Sequence, residues 1–259
     1  MDYKYDARYQ IMAIVVANQG DWDMTLSDIN DKKERTSEYI DKCLSLHSKF
    51  ITILDPEYPA YLKNSYKTPF VLFYEGNKEL IESDKLLAVL NDRTASQYAD
   101  ESINSLCDSL AKNCVFVLPF GGKKQNELIR RIISKEGRVI AVLNKPIGIE
   151  YQTDKELYQE LADNHLIIAS MPKRFDETVK ESSIQCYKLV ATLANRILIG
   201  AISKTSPETV AVAMALQMNG DVFCIPFQMG SKYIGNSLIH DGAILVENSD
   251  TLLIEGKLE

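Results

Sequence analysis

Four short stretches of this chain combine small residues, hydroxyls and cations in the way an oxyanion requires. They are Asn91-Asp92-Arg93-Thr94-Ala95-Ser96, Pro119-Phe120-Gly121-Gly122-Lys123-Lys124, Ser203-Lys204-Thr205-Ser206 and Gly230-Ser231-Lys232-Tyr233-Ile234-Gly235-Asn236. Each follows a short apolar run and leads into a helical pattern, so each offers the free backbone N–H groups of a helix start beside its side chains. Arg93 has a planar fork that suits a phosphate, whereas Lys123, Lys124 and Lys232 act as point charges. Ser96, Thr205, Ser206 and Asn236 add short polar groups, and Gly121, Gly122 and Gly235 let a ligand approach the backbone. The chemistry expected of these residues together is anion binding. The bland alternative is that Arg93 and Ser96 only cap their own helix.

Elements that would bring such loops together are legible around them. Ile197 to Ala201 is a short apolar run, Ser206 and Pro207 mark a helix start, and the apolar segment Val210 to Met218 leads to a stop at Gly220. Another apolar run, Val222 to Pro226, follows at once, which makes a strand–helix–strand crossover. The same alternation begins at Leu86 to Leu90. It continues through a helix capped by Ser96 and running to about Lys112, a strand Val115 to Leu118, and a helix Asn126 to Glu136. Strands at Val139 to Leu143 and Leu166 to Ala169 and helices at Asp154 to Asn164 and Phe175 to about Asn195 complete it. Strands this short and this continuously apolar are covered on both faces. The pattern predicts an α/β, Rossmann-like, doubly wound and mostly parallel sheet, whose loops at the carboxyl ends of the strands share one edge. Residues 1–50 differ: Tyr9 to Ala17 and Asp28 to Leu46 read as two helices around the polar turn Gly20-Asp21-Trp22-Asp23. They form a small N-terminal helical appendage ahead of a main domain at 51–259.

Composition removes several functions. With 259 residues, 46% hydrophobic and 25% charged, the chain suits a soluble globular protein. No apolar run reaches the roughly 18 to 20 residues of a membrane span, and the N-terminus has no signal-peptide core, so a cytoplasmic protein without membrane contact is expected. Cys43, Cys107, Cys114, Cys186 and Cys224 are scattered, and with only three histidines no metal or other cofactor site is expected. The motifs G-x-x-x-x-G-K-[ST], G-x-G-x-x-G and G-x-S-x-G are missing, so no catalytic residue is assigned and the protein is not expected to be an enzyme. Charge is uneven. Gly121 to Lys145 carries seven basic residues against Glu127 and Glu136, a formal +5, which leaves −12 for the rest of a chain whose total is −7. Such asymmetry would focus an anion on one region, unless the segment is merely a helix with a solvated charged face.

Several blocks in order resemble one family. The stretches ITILDPEYPAYLKNSYKTPFVLFYEGN, LLAVLNDRTAS, GRVIAVLNKPIGIEY and TSPETVAVAMALQMNGDVFCIPFQMGSKYIGNSLIHDGAILVEN are similar to successive blocks of the DprA/Smf family of DNA-processing proteins, over about residues 50–248. GNSLIHDGA, at Gly235 to Ala243, carries the likeness best. The resemblance implies an extended Rossmann-like fold that dimerises and binds single-stranded DNA without sequence preference. It also implies that the strand is passed to a RecA-type recombinase during DNA uptake, as in natural transformation. The charged blocks depart from the family pattern. Its Gly-Ser-Arg is here Asn91-Asp92-Arg93, and its Arg-Asn-Arg falls on Gln185-Cys186-Tyr187 with Lys188 beside it. On this alignment Tyr187 and Lys188 join the expected DNA site, because single strands are held by cations along the backbone and by aromatic faces under the bases. Phe120 and Tyr233 are further faces.

Two other readings compete. Pro119-Phe120-Gly121-Gly122 with Glu127 faintly echoes the Pro-Gly-Gly-x-Gly-Thr-x-x-Glu block of nucleotide-cleaving phosphoribohydrolases, though the Gly-Thr pair is missing. The other is an interaction protein that keeps the fold without a ligand.

Overall fold

The structure, a computed structural model, describes residues 6–258. Residues 1–5 and 259, the outermost parts of the two expected regions, lie outside the described residues. The N-terminal part is helical throughout: α1 (Ala7–Ala17), α2 (Trp22–Asn30) and α3 (Ser37–Leu46). Asp6, Asp21 and Thr36 each accept a backbone N–H at the start of one of these helices. The sequence reading gave two helices here, because it took Gly20-Asp21-Trp22-Asp23 as a turn. The chain does turn at Gly20 (φ 74°), but the Asp21 side chain then caps α2, and a second break falls around residues 31–36. Asp28 holds that break by accepting from Asn18 (3.0 Å), Lys33 (2.6 Å) and Arg35 (2.8 Å).

Strand β1 (Phe50–Thr52) leads through α4 (Ala60–Lys63) to β2 (Val71–Gly76). The alternation then runs β3 (Leu86–Leu90), α5 (Gln97–Leu110), β4 (Val115–Phe120), α6 (Lys123–Ser134), β5 (Arg138–Leu143), α7 (Lys155–Asn164) and β6 (Leu166–Ala169). It ends with α8 (Ser183–Leu193), β7 (Arg196–Ile199), α9 (Thr209–Gln217), β8 (Asp221–Cys224), α10 (Gly235–His240), β9 (Ile244–Leu245) and α11 (Ser249–Ile254). Among the described residues the strands form one sheet in the order β1-β2-β6-β5-β4-β3-β7-β8-β9. The strands from β6 to β9 pair in parallel, and β1 and β2 extend that array antiparallel.

Period-two alternation sorts the strand residues into two layers of core. Leu87, Val89, Phe116, Leu118, Val139 and Ala141 point to the side covered by α1, α3, α5, α6 and α7. Leu86, Ala88, Leu90, Val115, Val117, Ile140 and Val142 point to the side covered by α8 and α9. Met12 and Ile40, both 0% exposed, belong to the first layer, so the N-terminal helices are built into the main core. All five cysteines are buried free thiols. Burial pushes Cys43 up to about 11 and Cys114, Cys186 and Cys224 up to about 12.

Three helix boundaries differ from the sequence reading. Helix α6 starts at Lys123 rather than Asn126, and α8 starts at Ser183 rather than Phe175. Helix α9 runs from Thr209 to Gln217, and the left-handed residue after it is Asn219 (φ 53°), one before the glycine expected there.

A candidate nucleic-acid interface at the sheet switch point

Topology decides where the four loops go. From β3 the chain steps outward through β4, β5 and β6, then crosses back to place β7 on the other side of β3. Between β3 and β7 the winding reverses, and a crevice opens beyond the carboxyl ends of the strands. Here it is a cleft of about 600 Å³ lined from β3 by Asp92, Arg93 and Thr94, from β4 by Pro119 to Gly122, and from β7 by Ser203 and Thr205 to Glu208. Gln125 of α6, Asn144 after β5, and Ser183, Cys186 and Tyr187 of α8 complete the walls.

Asp92 fixes the geometry of this cleft. It is 8% exposed, and its carboxylate accepts from the Thr94 N–H (2.7 Å), the Thr94 hydroxyl (3.0 Å) and the Ser206 hydroxyl. One acidic side chain thus ties the β3 loop to the β7 loop. Burial pushes its carboxyl up, but the bonds from Ser206 and Thr94 and the charge of Lys232 outweigh burial and hold it below the usual carboxylate range. Ser206 therefore does not cap α9 as the sequence suggested, since its hydroxyl is spent on Asp92, Ser203 and the turn between them. Asn91 adds a second tie. Its Oδ1 accepts from the Ala201 N–H (2.9 Å), and its Nδ2 donates to Asp100 (2.8 Å).

Helix α6 faces the cleft with its N-terminus. Gly121 turns the chain with φ 114°, a conformation that favours glycine, and its N–H donates to Asn126 Oδ1 (3.0 Å). Gly122, at the cap position, provides no side-chain partner for the first amides of the helix.

The expected site residues divide into groups. Arg93, Gly121, Gly122, Tyr187, Thr205 and Ser206 line the one cleft. Lys232 stands beside it: its charge acts on Asp92, its ammonium lies 5.4 Å from the Tyr233 ring centroid, and the Tyr233 hydroxyl donates to Thr94 O (3.4 Å). Ser96 caps α5 and Lys124 pairs with Asp100 (2.5 Å), so both are engaged inside the protein. Lys123 lines a neighbouring hollow with Glu127, Arg130 and Asp154, and Lys188 lines a crevice against the N-terminal helices with Trp22 and Tyr66. Gly235 and Asn236 shape the loop after β8. A Cβ on Gly235 would come 3.0 Å from Ile225 O, and Asn236 exchanges hydrogen bonds with both backbone groups of Phe227 (2.8 and 2.9 Å).

Four of the seven cations in the segment from 121 to 145 pair with acids outside it. Lys124 meets Asp100, Arg130 meets Asp154, Arg131 meets Asp108 and Lys145 meets Glu181. On the strand-end loops around the cleft, Arg93, Lys204 and Lys232 are exposed and form no ion pair. Lys204, Asp92, Gln125 and Glu208 are site residues that sequence reasoning did not select. For Asp92 a signal existed in the Asp-x-Thr turn. For Glu208 none did, since an acid near a helix start is unremarkable. The Cys186 thiol, beside the cleft, bonds to Val142 O (3.3 Å) and is held protonated by burial. Among the described residues no group of three His, Cys, Asp or Glu could hold a metal ion, and no helix is long and apolar enough to cross a membrane.

Known proteins share this architecture. The solved structure of DNA processing protein A from Streptococcus pneumoniae superposes with a TM-score of 0.74 at 20% identity, covering 97% of this chain and 94% of that one. That coverage extends into the N-terminal helices. DNA processing protein A from Helicobacter pylori, whose single-stranded DNA binding mode was described with its structure, gives a TM-score of 0.66 at 21% identity, over 80% of this chain and 96% of that one. In sequence, the DNA processing protein DprA of Streptococcus pneumoniae is 26% identical over 215 residues, 79% of this chain and 73% of the relative. That of Bacillus subtilis is 22% identical over 209 residues, 79% of this chain and 70% of the relative. The family model for DNA recombination-mediator protein A matches residues 49–257. These matches favour the DNA-processing reading over the nucleotide-cleaving one. An α/β fold wound about a switch-point cleft, matched over nearly its whole main domain, makes this chain a member of the DNA recombination-mediator protein A family, the DprA/Smf proteins.

Proposed function

We propose that this protein binds single-stranded DNA across the switch-point rim and delivers it to a RecA-type recombinase, acting as a cytoplasmic homodimer without chemistry of its own. The observation that carries the reading is the position of three unpaired cations on the loops around the cleft. Arg93, Lys204 and Lys232 stand on loops from β3, β7 and β8, which the sheet order places side by side. Cations on adjacent loops can follow a polyanion, and the rings of Phe120, Tyr187 and Tyr233 lie in or beside the same cleft. Family membership supports the role in DNA processing, and the Helicobacter pylori relative supports the single-stranded ligand. The recombinase, the dimer and the compartment rest on the family resemblance alone.

Fluorescence anisotropy of a labelled oligonucleotide at low and moderate salt tests the central claim. Binding that weakens steeply as salt rises is expected, because displaced counterions drive it. A flat signal at low salt with saturating protein would overturn the reading. Sedimentation of the protein alone tests the dimer, and co-sedimentation with a RecA-type recombinase on DNA tests the hand-over.

A further inference from the structure

A second crevice lies away from the switch point, where the N-terminal helices meet the main domain. Its volume is about 130 Å³, and its apolar walls come from Val15 of α1, Trp22 of α2, Phe70 and Val71 entering β2, Leu189 of α8 and Met214 of α9. Trp22 and Phe70 stack on one another, with centroids 5.5 Å apart and planes 22° apart. Apolar cavities of roughly 150 Å³ accept a benzene ring, so this space suits one ring or one branched side chain.

Most polar groups around the crevice are satisfied inside the protein. The Trp22 indole N–H donates to Thr68 O (2.8 Å), the Thr25 hydroxyl to Asp21 O (2.6 Å) and the Thr192 hydroxyl to Lys188 O (2.8 Å). Ser65 shares a hydrogen bond with Thr68 (3.1 Å), and Lys67 is paired with Asp23 (2.5 Å). Three half-buried side chains are left over. The Ser170 hydroxyl, the Gln185 amide and the Lys188 ammonium line the crevice and have no hydrogen bond or ion pair among the described residues. Gln185 and Lys188 stand three residues apart on α8 and so share one face, whereas Cys186 and Tyr187 between them face the switch-point cleft. No carboxylate lines the crevice, although the chain carries a net charge of −7.

All three unused groups can donate, and one of them is charged. A carboxylate accepts from several donors at once, and its attraction to an ammonium is stronger in a crevice partly closed to water than on open surface. A phosphate would bring a second charge that nothing here balances, because Lys67 is engaged with Asp23. We propose that this crevice binds a small monocarboxylic acid with a compact apolar body, such as an aryl or branched-chain acid. The body fills the space against Trp22, Phe70 and Met214, and the carboxylate takes the Lys188 ammonium with the Gln185 amide and the Ser170 hydroxyl. Lys188, which the sequence pointed towards DNA, has this role instead.

Trp22 is the single tryptophan and lines the crevice, so its emission reports occupancy directly. The full chain is titrated, without DNA, with phenylacetate, 2-phenylethanol, acetate and N-acetylphenylalanine. Phenylacetate is expected to change the emission saturably and to bind about tenfold more tightly than 2-phenylethanol, which keeps the ring and lacks the charge. Acetate, which has the charge and lacks the ring, is expected to leave the emission unchanged. Lys188→Met is expected to bring phenylacetate down to the affinity of the alcohol, with the alcohol itself within about twofold of its parent value. Equal affinities of acid and alcohol for the unaltered protein would overturn the carboxylate site. A tenfold preference that persists in Lys188→Met would overturn the role of Lys188. A response to N-acetylphenylalanine alone would overturn the free acid in favour of a peptide end, and no response to any of the four would overturn the site altogether. The comparison of probes needs no variant, so it stands even if Lys188→Met does not fold, and its failure leaves the DNA reading untouched.

Discussion

Acid should loosen the joint between the N-terminal helices and the sheet, and His47 sets by how much. Its backbone N–H closes α3 by donating to Cys43 O, and its ring lies against Phe73 of β2, with centroids 4.2 Å apart. It is 4% exposed, and its Nε2–H donates to Lys173 O at 3.4 Å. Burial pulls its pKa down from 6.5 to about 4, so the folded protein keeps the ring neutral where the unfolded chain would protonate it. The stability from this group is therefore fully present above pH 6.5 and is lost as pH falls toward 4. Each pH unit inside that window is worth about 1.4 kcal/mol, so the fall from 6.5 to 5 removes about 2 kcal/mol. Carboxylates held low in the fold, such as Asp28 and Asp92, act below this range, because their unfolded values lie near 4. His165, also pulled down by burial, adds a loss of the same sign. The measurement is therefore a difference between His47→Phe and the parent. Urea unfolding at pH 7.5, 6 and 5 can be followed by the fluorescence of Trp22, the single tryptophan, which stacks on Phe70. The variant should lose about 2 kcal/mol less than the parent between pH 7.5 and 5. Equal losses in the two proteins would refute the argument.

Further outcomes follow from the cleft. Asp92→Ala removes the shared acceptor of Thr94 and Ser206 and should cost about 2 to 4 kcal/mol in urea unfolding, because bonds to a charged group are the strong ones; a cost below about 0.5 kcal/mol would show that the tie is idle. Arg93→Ala and Lys232→Ala should each lower affinity for single-stranded DNA and flatten the plot of log affinity against log salt by about 0.7, with the melting temperature unchanged. Lys123→Ala, which alters the neighbouring hollow, should leave both slope and affinity near those of the parent, and a loss equal to that of Arg93→Ala would extend the DNA path over α6.

Strand positions were readable because runs such as Leu86 to Leu90 are apolar at every residue, which only a sheet covered on both faces accommodates. Strand order was not readable. It is fixed by the return of the chain to the far side of β3, a choice that no local stretch encodes. The cluster Arg93, Gly121, Gly122, Thr205 and Ser206 could be found because loops at strand ends share an edge in any such sheet. Lys123, Lys124 and Lys188 could not be sorted from them. A lysine's partner is set by packing across helices, as with Lys124 and Asp100, twenty-four residues apart in the chain. The basic segment misled for the same reason: Asp100, Asp108, Asp154 and Glu181, which pair with four of its cations, all lie outside it. Glu208 is invisible in the sequence because what distinguishes it is an unused lone pair.

The five enclosed sulfurs leave the exterior blank to maleimide chemistry. A cysteine introduced at Met229, which is fully exposed on the loop between β8 and α10, would be the single fast-reacting handle on the native chain. A dye attached there would report in real time on the loop that carries Lys232 and Tyr233, with no need to strip the natural thiols from the core first.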